Sequence, residues 1–72
     1  MTRKTLEKIS GTIYAATLTQ KMRDRRQLEL AGHTAAADNI RYSIAGYVQA
    51  LRDTGIITES ERIILYIYYG TI

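Results

Sequence analysis

Apolar residues recur three and four positions apart through most of this chain, the period of a helix rather than the alternation of a strand. Leu6, Ile9, Ile13 and Ala16 share one helical face, and Tyr14, Leu18 and Met22 make a second stripe. At ~100° per residue the two stripes are offset by about 120°. The spacing predicts a helix over residues 3–30, because Gly11 is the only poor helix former between Thr5 and Leu30. Threonines between Thr12 and Thr19 favour a strand by composition, but their period does not alternate. A helix apolar over so wide an arc touches more than one neighbour.

Gly32-His33-Thr34 is the first break, with Gly32 capping one helix and Thr34 or Asp38 opening the next. Ala36, Ala37, Ile40, Ile44, Tyr47, Val48 and Leu51 then fill one sector of the helical wheel, a core-facing stripe that predicts a helix over 34–53. Asn39, Ser43, Gly46 and Ala50 make the opposite face, all of them small. Gly55 follows, where a glycine in the left-handed conformation closes a helix. Three residues later Thr58 and Glu61 form a T-x-x-E capping box, each side chain satisfying a backbone N–H of the other.

The segment from Glu59 to Tyr69 carries two conflicting signals. Its β-branched and aromatic residues favour a strand. The capping box and the acids of the first turn favour a helix, and a helix over 59–69 is the expectation. Because the segment is apolar on every side, the first two helices, another chain, or both must cover it.

These elements predict an all-α fold in one domain over residues 1–72: an antiparallel helical hairpin with a short third, C-terminal helix folded over it. A chain this short buries only about 60% of its unfolded surface, and small scaffolds compensate with disulfides, metal or oligomerisation. The sequence has no cysteine and a single histidine, His33, which reads as a surface turn residue. Oligomerisation remains, with a two-fold homodimer the favoured form. Leu18, Met22, Ile64 and Tyr68 are the candidate seam.

Charge adds an asymmetry to this picture. Residues 1–26 hold seven Lys and Arg against two acids, whereas residues 27–72 hold three against five. Lys21, Arg23, Arg25 and Arg26 are the candidate polyanion-binding cluster, since each cation on a phosphate backbone releases counterions. On one helix, however, they point in all directions, and Asp24 and Glu29 lie among them, so a solvated helix end explains them equally well. Of the six tyrosines, Tyr42 alone stands clear of the apolar stripes. With Asn39, Ser43 and Gly46 it forms the candidate partner surface, because aromatics concentrate at interfaces.

No catalytic, cofactor-binding or metal-ligating motif is present, so no residue is assigned to those roles and an enzyme is the least favoured class. The longest apolar run, Ile63 to Tyr69, has seven residues, far short of the roughly 20 that span a bilayer. No apolar leader follows the basic start, and a cytoplasmic protein is expected. The expected function is a non-catalytic helical interaction or regulatory module acting as a homo-oligomer on a protein partner. The alternative is a nucleic-acid-binding accessory protein that recognises backbone or shape.

Overall fold

In the computed structural model, which describes residues 2–72, the chain forms four helices and, among these residues, no strand: α1 (Thr2–Ile9), α2 (Ile13–Leu30), α3 (Thr34–Asp53) and α4 (Glu59–Gly70). The single helix expected over residues 3–30 is therefore two. Gly11 adopts φ 77°, a left-handed conformation that costs a residue without Cβ little and that no helix can continue through. Thr12 then caps α2: its Oγ1 accepts from Ala15 N at 3.4 Å and donates to Ile9 O at 2.5 Å, tying the new helix to the end of the old one. The signal was in the sequence. Ser10-Gly11-Thr12 sets a glycine that can close one helix directly before a threonine that can cap the next.

Other boundaries follow the sequence closely. Gly55 has φ 80°, its N–H donates to Arg52 O at 3.0 Å, and Ile56 N donates to Leu51 O at 2.9 Å. That pair of bonds is a Schellman closure, which satisfies carbonyls the ending helix leaves free. Thr58 and Glu61 make the capping box in both directions, Thr58 N to Glu61 Oε1 at 2.7 Å and Glu61 N to Thr58 Oγ1 at 3.2 Å. The C-terminal segment is thus a helix.

The core gathers Ile9 of α1, Leu18 and Met22 of α2, Ile44, Val48 and Leu51 of α3, and Leu65 and Tyr69 of α4, with Ile57 plugging the α3–α4 turn. α2 packs most extensively against α3, and α4 lies against α3, α1 and α2. Burial on α3 matches the predicted stripe, with Ala37, Ile44, Val48 and Leu51 buried and Ala36, Ile40 and Tyr47 at its margins. The break at Gly11 splits the first predicted stripe. Ile9 enters the core, while Ile13 and Ala16 turn to solvent.

The start of α4 is an acid-stabilised corner. Arg62 donates to both carboxylate oxygens of Glu59 at 2.8 and 2.7 Å, and Arg52 of α3 adds a third bond at 2.9 Å. These bonds, led by Arg62, outweigh partial burial and pull the Glu59 pKa down to about 2. Glu61 is lowered in the same direction, chiefly by Lys8 of α1 at 2.7 Å and then by the Thr58 backbone N–H. A carboxyl depressed on folding stabilises the native state above its unfolded pKa, and that contribution disappears as pH falls through the folded value. The melting temperature should therefore decline between about pH 4.5 and pH 2. Glu59→Gln should flatten that decline and lower the neutral-pH value; thermal melts by circular dichroism at pH 7, 4 and 2.5 check it. Parallel pH profiles for the two proteins would remove Glu59 as the cause.

Candidate functional site

α3 presents the clearest candidate surface. Its core-facing stripe places Asn39, Tyr42, Ser43 and Gly46 together on the opposite, solvent-exposed side. Tyr42 is 72% exposed there, the most exposed of the large aromatic side chains. Ser43 borders α2, where Lys21 Nζ donates to its Oγ at 2.6 Å. The other tyrosines are at least half-buried, and Tyr69 lies in the core. Burial pushes the Tyr69 hydroxyl above its ordinary pKa, against a hydrogen bond with Thr19.

The cation cluster does not converge. Lys21 is engaged with Ser43, and Arg25 is only 1% exposed. Arg23 and Arg26 remain in solvent without an ion-pair or hydrogen-bond partner among the described residues. Arg25 leaves the candidate polyanion site for a physical reason: it continues the buried stripe Leu18–Met22 by three residues, so the core closes over it. It is the largest fully buried side chain among the described residues.

Arg25 instead organises the end of α4. Its Nε donates to Tyr69 O at 3.3 Å and its Nη1 to Glu29 Oε1 at 2.7 Å, while Nη2 is buried without a partner among the described residues. Arg41 of α3 makes the parallel arrangement, Nε to Gly70 O at 2.8 Å and Nη2 to the same Glu29 oxygen at 3.0 Å, with Nη1 on Asp38 Oδ1. Two guanidinium groups thus meet the negative end of the α4 dipole and two of its free carbonyls. Spacing gives the Arg25–Glu29 pair, four residues apart on one helix, but no hint of the bonds to α4, whose acceptors are backbone oxygens 44 and 29 residues away.

The candidate oligomer seam is also redistributed. Leu18 and Met22 are buried within one chain, and Ile64 and Tyr68 are half-buried against its core. Their apolar area is spent on folding this chain, so the first two are not available to a second one. The large apolar side chains left outside are others: Ile13 and Leu30 of α2, Ile63 and Ile67 of α4, Tyr42, and Ile72. The sequence places Ile13 in a stripe with Ile9, and only the turn at Gly11 separates their directions. His33 is exposed in the α2–α3 turn. Among the described residues no group of three His, Cys, Asp or Glu side chains is placed to hold a metal ion, and no helix is long and apolar enough to cross a membrane. Compared with known proteins, the chain matches no protein-family model, no curated protein and no solved structure.

Proposed function

We propose that the chain is a non-catalytic helical interaction module, built on an antiparallel α2–α3 pair and working as a homodimer that engages a protein partner through α3. Tyr42 is the observation that carries this reading: a tyrosine 72% exposed on a helix whose core face is already complete. Tyrosine offers a large, stiff contact area at low entropic cost, with a hydroxyl that tolerates water until a partner arrives. Asn39 and Gly46 beside it leave room for a partner's backbone to approach. The polyanion reading has less support, since two of its four cations are engaged inside the chain.

Tagged wild type and Tyr42→Ala, cross-linked and purified in parallel from producing cells, test the proposal. The expected result is a partner protein retained by the wild type and depleted about tenfold or more by the substitution, as at an interface hot spot. The melting temperature should be unchanged, because the residue is exposed. Equal recovery from both proteins overturns the α3 surface. Salt-sensitive binding to duplex DNA, lost in the Arg23→Ala, Arg26→Ala double variant, replaces this reading with the nucleic-acid one.

A further inference from the structure

Ile13, Ala16, Gln20, Arg23, Gln27 and Leu30 all lie on the exposed side of α2, and their spacing is 3-4-3-4-3. That repeat lets two helices pack along a common seam. The core uses the other side of α2, through Leu18, Met22 and Arg25, so this stripe is free. Its two ends are aliphatic, Ile13 at 70% and Leu30 at 90% exposure. Shallow open grooves flank its first half, one of them floored by Gly11, Thr12, Ala15 and Ala16.

We infer that this stripe is the seam for a second copy of the chain, the two α2 helices running antiparallel about a two-fold axis level with residues 21 and 22. The inference rests on the homodimer reading above and assigns its contact to α2 in place of Leu18 and Met22. The stripe is complementary to itself, because facing positions have residue numbers adding to 43 throughout. Ile13 meets the partner's Leu30 at both ends, Ala16 meets Gln27, and Gln20 meets Arg23. Each Leu30, prominent on its own chain, is carried over the groove that the small residues around Ala15 leave on the other.

Charge suits the same partner. Arg23 has no ion-pair partner among the described residues, and Asp24 is held only by the amide of Gln20 at 2.9 Å. In the antiparallel register Arg23 and the partner's Asp24 differ in level by four residues, about 6 Å at 1.5 Å per residue, within reach of an extended guanidinium. The two-fold axis makes that pair twice. A standard interface takes about 800 Å2 from each partner, more than a sixth of this chain's 4537 Å2. One helix face supplies less than that, which makes the association a weak and reversible one.

The absence of native cysteine makes the test direct. Ile13→Cys and Leu30→Cys are purified separately, then oxidised alone and mixed, at high micromolar concentration. The mixture should form a heterodisulfide at least about tenfold faster than either variant links to itself, because seam contact raises the effective concentration of the facing thiols. Like positions lie about 26 Å apart along the axis in this register. Faster self-linking of each variant alone indicates parallel pairing and overturns the inference. A wild type that sediments as a dimer, with no preferential linking in the mixture, overturns this seam and leaves the homodimer standing. A monomer at high micromolar concentration overturns both. Arg23→Glu should weaken dimerisation about tenfold, and adding Asp24→Arg should restore it by reversing the pair; unchanged dimerisation in Arg23→Glu removes the ionic part of the seam. Melts of each variant serve as the folding control, since every substituted position lies outside the core.

Discussion

Leu18→Ala should lower the unfolding free energy by about 3–5 kcal/mol, the range for removing a fully enclosed leucine from a core that cannot collapse around the gap. Leu18 has no exposed surface and lies with Met22, Ile44, Val48 and Leu65 in the central cluster. A 72-residue domain has roughly 4–11 kcal/mol in total at the usual ~0.05–0.15 kcal/mol per residue, so this loss brings it close to unfolding. Leu30→Ala on the same helix should change monomer stability by less than about 0.5 kcal/mol, because that side chain loses no burial. Urea titrations followed by helical circular dichroism measure both, and the midpoint should fall steeply for Leu18→Ala at similar slope. A wild-type midpoint in Leu18→Ala would return Leu18 to the surface and reopen it as an oligomer contact.

Removal of Arg25 should be the most damaging change to any polar residue. Arg25→Ala strands the Tyr69 carbonyl, releases Glu29 from its shortest bond, and opens the space the guanidinium and its stem fill. Hydrogen bonds to charged groups contribute about 1.5–3 kcal/mol, and with the lost packing a cost of about 3 kcal/mol is expected. At roughly 4–8 °C per kcal/mol for a domain of this size, the melting temperature should drop by about 12–24 °C. Arg25→Lys should recover less than half of the loss. An ammonium is a point charge and cannot hold the Tyr69 carbonyl and Glu29 in the planar fork that the guanidinium provides. Differential scanning calorimetry of the three proteins decides the matter. Full rescue by lysine would show that charge alone, rather than the fork, is what the end of α4 requires.

These two residues also mark how far local pattern carries. α3 was legible almost residue by residue, because one stripe of apolar positions stands against a face of small and polar ones. The α4 start was legible because both members of its capping box lie within four residues of each other. The same reasoning stopped at α2, which carries two stripes of similar apolar content. Either could face the core, and pattern alone ranks them equally. Tyr42 was legible as the aromatic outside the stripes, while Lys21, Arg23, Arg25 and Arg26 were indistinguishable as a run of cations. Arg25 differs from its neighbours only in its phase relative to Leu18 and Met22.

What the sequence by itself determined is everything set by forces acting within a turn or two: helix identity, the ends at Gly32, Gly55 and Thr58, and the inward face of α3. Capping bonds, left-handed glycines and a 3.6-residue period are local properties, complete once the neighbouring residues are known. The tertiary structure alone decided which stripe of α2 is covered, which cation is buried, and which large apolar groups remain outside. Those outcomes follow from the turn at Gly11, which redirects α1, and from the docking of α4, whose terminal carbonyls meet the Arg25 and Arg41 guanidinium groups only after the chain has folded. The Gly11 turn is itself local, whereas the free energies of α4 docking belong to pairs far apart in the chain, and no window of local sequence contains both members.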